Sequence, residues 1–177
     1  MGGLVAFILG LFCWTFVEYA VHGWMSHTYD TFVRSLHAVH HRDPHAVFAV
    51  GVWPPVAVSW LAAVYVWRWS DGVLFFTGMA CGFALYELLH YRLHFARSLT
   101  GLERRLRQRH LAHHFVNSSV CLGVTSPLWD WVFGTEPNPA QMKQFAAATS
   151  HIMPLEGRSN ARLLGQVMLR GWRRVES

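Results

Sequence analysis

Residues 90–114 read HYRLHFARSLTGLERRLRQRHLAHH and carry two short clusters of histidine. The five histidines of this stretch are His90 and His94, followed by His110, His113 and His114. Residues three and four apart share one face of an α-helix. The spacing therefore predicts two helices whose imidazole rings converge.

Two further clusters lie earlier in the chain. His37, His40 and His41 repeat the spacing of three and four residues, and His22 and His27 come shortly before them. Imidazole is the commonest metal ligand in proteins, and clusters of histidine mark metal sites. We therefore predict a metal centre built from ten of the twelve histidines. The predicted ligands are His22, His27, His37, His40, His41, His90, His94, His110, His113 and His114.

Length and composition indicate a single membrane domain over residues 1–177. Apolar residues make up 53% of the chain and charged residues only 14%, whereas soluble domains contain about 25% charged residues. The three cysteines, Cys13, Cys81 and Cys121, lack the paired spacing of a zinc-thiolate site or a disulfide framework. We expect them to be reduced packing residues.

The fold class predicted from these features is all-α, an integral membrane protein with about three transmembrane helices and a cytosolic helical cap. A helix must extend over about 30 Å to cross the hydrocarbon core, at about 1.5 Å per residue. The second apolar stretch starts with Pro54 and Pro55, which fit a first helical turn and leave the regular helix short for a crossing. The predicted segments are 3–21, 47–67 and 73–89 in the membrane and 90–177 in the cytosolic cap, which carries a histidine-rich di-metal site.

Three crossings would place all four histidine clusters on the same side of the membrane. The same side would hold fourteen of the fifteen Lys and Arg residues, every one except Arg68. Cytoplasmic loops carry an excess of Lys and Arg. We therefore predict a multi-pass protein with its histidines on the cytoplasmic side. Residues 160–174 are predicted to form a basic amphipathic helix on the membrane surface.

The basic run that precedes the last histidine cluster has two possible ligands. We expect Arg104, Arg105, Arg107 and Arg109 to attract anionic lipid headgroups. A nucleic-acid surface would interleave such residues with exposed aromatic side chains and polar loops, and this pattern is missing here. No nucleic-acid partner is therefore expected.

The first histidine cluster does not fit one face of a regular α-helix, and a glutamate lies close to it in the sequence. His22 and His27 stand about 140° apart on an ideal α-helix, so a shared metal requires a bend, a bulge or the end of the helix between them. Glu18 lies four residues before His22, where its carboxylate could orient the imidazole ring. The alternative is a snorkelling or protonated glutamate at the membrane interface.

Three other carboxylates are candidates for orienting ligand histidines. Glu87 lies three residues before His90, on the same helical face. Asp130 lies in an aromatic, turn-rich segment that we expect to fold over the metal site, and its alternative role is a helix cap. Asp43 precedes Pro44 and also marks the end of a helix.

Two residues are candidates for the mouth of a substrate site. His45 follows the turn after the second cluster and lies outside the ligand spacing, so its alternative role is structural. Tyr91 follows His90, and ordinary aromatic packing is the alternative there.

Ten imidazoles are too many for one ion, so two metals with four or five nitrogens each are expected. An all-imidazole set suits zinc, copper, iron or nickel. A lipid-facing site has little use for a hydrolytic zinc hydroxide, whereas oxidation of a C–H bond requires O₂ at a redox metal. We therefore expect two iron ions, with zinc as a substitute in a purified sample.

The order His-x4-His, His-x2-His-His, His-x3-His, His-x2-His-His resembles that of the fatty acid hydroxylase and sterol desaturase superfamily of membrane-bound di-iron enzymes. Residues 37–44 with Trp53-Pro54-Pro55, and residues 128–135, are most similar to the catalytic part of fatty acid 2-hydroxylases. The resemblance extends over roughly residues 14–136. It implies that the ten histidines hold two irons, that O₂ is a co-substrate, and that an acyl-chain lipid is hydroxylated.

The resemblance leaves several alternatives open. The family's cytochrome b5-like domain is not found in this sequence, so electrons are expected from a separate donor protein. A partner or a second copy would complete the substrate tunnel, and the oligomeric state is open. The same clusters also serve lipid desaturases and sterol or carotenoid hydroxylases, and a non-catalytic membrane metal-binding protein is a more remote alternative.

Overall fold

The computed structural model describes residues 2–47, 53–67 and 71–152. Helices supply the regular secondary structure of these residues, and no strand occurs among them. The predicted all-α class is therefore confirmed. The elements are α1 (Gly3–Tyr19), a π-helical segment (Ala20–Thr28), α2 (Phe32–Arg42), α3 (Trp53–Trp67), α4 (Asp71–Phe95), α5 (Gly101–Phe115), α6 (Leu128–Phe133) and α7 (Pro139–Thr149).

Two helices are long and apolar enough to cross a membrane. The first comprises α1 and the π-helical segment and has 26 residues, and the second is α4 with 25 residues. Over their most apolar 18 residues the mean hydropathy is 2.0 and 1.6. Helix α3 has 15 residues, which corresponds to about 22 Å against a hydrocarbon core of about 30 Å. The predicted crossing at 47–67 thus coincides with a helix that is short for a full span, and residues 48–52 lie outside the described part.

Helices α1 and α4 pack against each other along their length. They run parallel, because Gly3 lies beside Leu74 near the start of both helices and Trp14 lies beside Gly82 farther along both. A Cβ atom on Gly10 would lie 2.0 Å from the main-chain oxygen of Phe75, and one on Gly78 would lie 2.1 Å from that of Phe7. Only glycine permits this distance between two helix backbones, as in other closely packed membrane helices. Because the pair is parallel, the histidines near both C-terminal ends lie at the same end of the molecule.

Helix α3 returns the chain between these two parallel helices. The indole Nε1 of Trp60 donates a hydrogen bond of 3.0 Å to Thr77 Oγ1 on α4. Helix α4 then continues past Leu89, the predicted end of the third apolar segment, to Phe95. His90 and His94 therefore lie on the same continuous helix as that segment.

The outer surfaces of the long helices are apolar, as contact with lipid requires. Leu4 on α1 is 72% exposed and Tyr65 on α3 is 81% exposed. Ile8, Phe12 and Leu88 also point outward. Together with the two candidate spans, this surface identifies a membrane protein.

Helix α5 lies within the region predicted as the cap, and its start is defined by a capping box. Thr100 accepts a hydrogen bond from the Glu103 amide, and the Glu103 side chain accepts one from the Thr100 amide. The three cysteines are free, and Cys121 is buried as expected for a packing residue. The helix predicted over 160–174 lies outside the described residues.

Candidate metal centre

The π-helical segment solves the geometric problem of the first cluster. In a π-helix each hydrogen bond joins residues five apart, so residues at this spacing lie about one turn from each other. The ring centroids of His22 and His27 are 5.4 Å apart. The sequence prediction that the α-helix is interrupted between them is confirmed.

The ten predicted ligands gather into two groups of five, each of which could hold a metal ion. Within each group the ligand nitrogens all lie within 4.8 Å of one another. Each group takes residues from three of the four clusters, so that no single helix builds it. The His22 group consists of His22, His27, His37, His41 and His113, and the His40 group consists of His40, His90, His94, His110 and His114.

Helices α2 and α5 contribute to both groups. His40 and His41 are adjacent in sequence but point into different groups, and the same is true of His113 and His114. The rings of His41 and His114 stack across the boundary, with centroids 4.2 Å apart and an interplanar angle of 17°. The two groups thus share a wall, and two ions bound there would be neighbours.

The Nε2 atoms point toward the centre of each group. In the His22 group, the Nε2 atoms of His37 and His41 are 2.9 Å apart. In the His40 group, the Nε2 atom of His110 lies 2.8 Å from that of His94 and 3.1 Å from that of His90. This convergence of one nitrogen type is the arrangement that a metal ion requires of imidazole ligands.

A loop over residues 120–125 orients two rings of the His22 group. The Nδ1 atom of His22 lies 2.5 Å from the main-chain oxygen of Leu122, and that of His113 lies 3.0 Å from the oxygen of Val120. A main-chain oxygen only accepts hydrogen bonds, so each Nδ1 must carry the proton. The lone pair of Nε2 is then available for a metal.

Two buried carboxylates hold this loop in place. Asp130 is fully buried and accepts hydrogen bonds from the amides of Leu122 (2.7 Å) and Gly123 (2.9 Å). Glu18 is 3% exposed and accepts from the Val124 amide at 2.6 Å, as well as from the amide and hydroxyl of Thr125. Glu18 therefore acts on the loop that binds the His22 ring, and not on the ring itself. The snorkelling alternative is wrong, since the side chain is buried.

Asp130 is also part of an ion-pair network that the sequence did not reveal. Arg109 is buried and donates to Asp130 at 2.8 Å and to Glu136, while the Thr135 hydroxyl donates to Asp130 at 2.7 Å. The helix-cap alternative for Asp130 is wrong, because its carboxylate binds residues outside α6. The expectation that Arg109 attracts lipid headgroups is also wrong, since its guanidinium group points inward.

The other predicted site residues lie outside the two groups. Asp43 bonds the amide and ring of His45, at 3.1 and 3.2 Å, so its predicted role beside a clustered histidine is wrong and it serves the turn after α2. His45 and Tyr91 both pack on Phe95, with ring centroids 5.5 and 4.9 Å from it. Glu87 is buried and lies one helical turn before His90.

The electrostatic environment favours neutral rings. Burial lowers the pKa of the six clustered histidines on α2 and α5, which are His37, His40, His41, His110, His113 and His114. These rings are therefore neutral at pH 7, the form that binds a metal. The buried Nε2 atoms of His22 and His27 have no hydrogen-bond partner among the described residues. Both groups contain histidine alone, and this donor set fits a divalent transition metal.

An apolar groove of about 250 Å³ opens between α1, α3 and α4. Aromatic contacts connect it to the His40 group, because the ring of Trp14 lies 5.0 Å from Phe83 and 6.3 Å from Tyr86. The Tyr86 ring in turn stacks on His90 at 5.4 Å. The groove is lined by Trp14, Ser59, Trp60, Phe76, Met79, Ala80 and Phe83.

Fold and site together define a helical membrane protein with a histidine-rich centre suited to two metal ions. The fatty acid hydroxylase family model matches residues 7–135. The chain therefore belongs to the fatty acid hydroxylase family, and the resemblance noted from the sequence is confirmed.

Three similarities illustrate this membership. The chain is 34% identical to a dihydroceramide fatty acyl 2-hydroxylase of Arabidopsis thaliana, over 73% of this chain and 60% of the relative. It is 32% identical to the fatty acid 2-hydroxylase of Mus musculus, over 73% of this chain and 38% of the relative. The solved structure of full-length scs7p, in which only the hydroxylase domain is visible, superposes with a TM-score of 0.64 at 29% identity, over 78% of this chain and 59% of that one. The chain thus spans less than two thirds of each of these relatives.

Proposed function

We propose that this chain is a membrane-bound, iron-dependent monooxygenase that hydroxylates an acyl-chain lipid. In the overall reaction a C–H bond of the lipid becomes C–OH, and the second oxygen atom of O₂ leaves as water. Two electrons and two protons balance this reaction, and we assign the electrons to a separate donor protein. The observation that carries the proposal is the pair of five-histidine groups that share a wall, one of which is connected to an apolar groove through the ring of Tyr86.

We assign the ten clustered histidines as the ligands of two iron ions, with zinc as a substitute in purified material. Iron would supply the redox chemistry that O₂ activation requires. The protein's own part is orientation: the carbonyls of Val120 and Leu122 hold two rings of the His22 group in one tautomer. Asp130 and Glu18 hold that loop, so we assign them as positioning residues.

The groove lined by α1, α3 and α4 is the proposed seat of the acyl chain. Trp14 and Phe83 present apolar surface to such a chain, and Tyr86 continues this surface to the ring of His90. A carbon held near Tyr86 would be shielded from water on the lipid side. The names of the plant and mouse relatives, which are acyl 2-hydroxylases, support an acyl lipid as the substrate class.

We further propose a multi-pass topology for one membrane domain, with the histidine groups on the cytoplasmic side. The parallel arrangement of α1 and α4 supports it, because the chain must return between two parallel spans. The distribution of basic residues supports the cytoplasmic side, since fourteen of fifteen Lys and Arg residues would lie there.

The proposal is tested with purified protein loaded anaerobically with Fe²⁺, supplied with a chemical or protein reductant, an acyl lipid and ¹⁸O₂. We expect an O₂-dependent product that contains one labelled oxygen. His113→Ala should abolish the product, whereas His151→Ala, which alters an exposed histidine outside both groups, should retain it. A product that has lost two hydrogens without gaining oxygen would identify a desaturase instead, and full activity in the metal-free protein would exclude the proposal.

A further inference from the structure

A second cavity, which is basic, lies against α5 and shares no lining residue with the apolar groove. Its volume is about 540 Å³, and it is bounded by the segment after α4, one face of α5 and the end of α7. Arginine is its most frequent lining residue. The side chains that line the cavity include those of Arg97, Arg104, Arg107, Gln108, Leu111 and Ser150.

The lining of this cavity contains no carboxylate among the described residues. The guanidinium groups of Arg104 and Arg107 hydrogen-bond only main-chain oxygens there, those of Leu99 at 2.8 Å and Ala96 at 3.3 Å. Arg107 is half-buried, and burial lowers the pKa of its guanidinium group. A desolvated cation without an anionic partner is costly unless a ligand supplies the charge.

The neighbouring arginines differ in this respect. Arg92 forms two hydrogen bonds with Glu103, and Arg109 is paired with both Asp130 and Glu136. These carboxylates neutralise the arginines on either side of the cavity. Arg104 and Arg107 have no such carboxylate partner among the described residues, so their charge can act on a small anion in the recess.

The position of the cavity and its mixed lining indicate the kind of anion. The apolar span α4 ends at Phe95, and Arg97 follows two residues later, so the recess lies beside the end of a candidate span, at the level of lipid headgroups. Leu99 and Leu111 supply an apolar wall next to the guanidinium groups. A recess of this size admits a headgroup, whereas the surface of a globular protein could insert only a side chain.

We propose that this cavity is a binding site for a phosphate group, carried either by a lipid headgroup or by a soluble phosphate. Guanidinium groups suit phosphate because their planar set of donors matches two phosphate oxygens at once. The site is separate from the histidine groups, and the proposal does not depend on the oxygenase reaction.

The test uses the full chain in maltoside micelles, which contain no phosphate, at about 0.3 M salt so that long-range attraction is screened beyond about 6 Å. Native mass spectrometry counts retained phosphatidic acid, with diacylglycerol as the phosphate-free probe of the same tails. Calorimetric titration with inorganic phosphate alone tests the soluble source. The cavity variant is Arg104→Gln/Arg107→Gln, and the control is Arg105→Gln/Lys143→Gln, which removes the same charge outside the cavity.

We expect retention of phosphatidic acid over diacylglycerol, a loss of about tenfold or more in the cavity variant, and near wild-type retention in the control. Binding of inorganic phosphate that the cavity variant loses would also support the site and would assign it a soluble ligand. Equal loss in both variants, or equal retention of the two lipids, would overturn the proposal. The proposal would also be overturned if the cavity variant kept phosphatidic acid but no longer bound an acidic donor protein. If the double variant fails to fold, the exposed single change Arg104→Glu carries the same comparison.

Discussion

The Nδ1 atom of His22 lies 2.5 Å from the main-chain oxygen of Leu122, a residue 100 positions later in the chain. This bond joins the first histidine cluster to a loop whose amides are held by Asp130 and Glu18. The orientation of a predicted metal ligand near the start of the chain thus depends on carboxylates that do not contact its ring. Four predictions follow from relationships of this kind.

Asp130→Asn should loosen both the loop and the His22 group. The amide removes the negative charge that Arg109 requires and replaces one acceptor by a donor, and breaking a buried pair in this way costs about 3–5 kcal/mol of unfolding free energy. Metal affinity should fall by about 10–100-fold, as for other residues that support metal ligands. Thermal unfolding and competition with a chelator measure the two effects. Asp30→Asn, at an exposed carboxylate, is the control, and unchanged metal affinity in Asp130→Asn would refute the role.

The division of the histidines predicts which substitutions remove which ion. His27→Ala affects only the His22 group and His94→Ala only the His40 group. Each single variant should therefore lose about one of two bound metal ions, and the double variant should lose both. Elemental analysis of protein loaded under identical conditions measures the content, with His45→Ala as the control. Complete loss in both single variants would show that the groups do not bind independently.

Gly78→Ala should separate α1 from α4. The new Cβ would lie 2.1 Å from the main-chain oxygen of Phe7, which cannot move without its helix. Overpacking of this kind costs about 1–3 kcal/mol, and the histidines at the ends of both helices should shift with the backbone. Thermal unfolding in a fixed detergent measures the loss. Gly101→Ala is the control, because its Cβ would meet only the end of Arg104 at 3.8 Å, and equal stability of the two variants would contradict the packing argument.

The pair formed by Glu103 and Arg92 predicts a pH-dependent contribution to stability. The hydrogen bond that Arg92 donates to Glu103 lowers the pKa of the Glu103 carboxyl from an ordinary value of 4.5 to about 2. A carboxylate whose pKa is lower in the folded state stabilises fully above its unfolded pKa and loses this effect as the pH falls toward the folded one. The difference in Tm between wild type and Glu103→Gln should therefore be constant above about pH 5 and shrink toward pH 2. Arg92→Gln should give the same profile, and a difference that is independent of pH across this range would contradict the assignment.

The all-α membrane fold and the set of clustered histidines could be predicted because both depend on local pattern. Apolar stretches long enough for a bilayer and histidines three or four apart report helices and shared faces directly. The interruption needed between His22 and His27 also followed from helical geometry, although its form as a π-helix did not. Asp43 and Arg109 were misassigned because sequence neighbours do not reveal which way a side chain at the end of a helix, or beside a buried carboxylate, will point.

By itself the sequence determined that this protein is helical, belongs in a membrane and carries ten histidines in metal-ligand spacing. Local periodicity and composition suffice for such properties, since they involve residues within one or two helical turns. Only the tertiary structure decided that His40 and His41 serve different groups, that Gly10 and Gly78 bring two helices into backbone contact, and that Asp130 orients rings through a loop. These features join residues far apart in the chain, and the packing of whole helices, which no local spacing encodes, sets their distances.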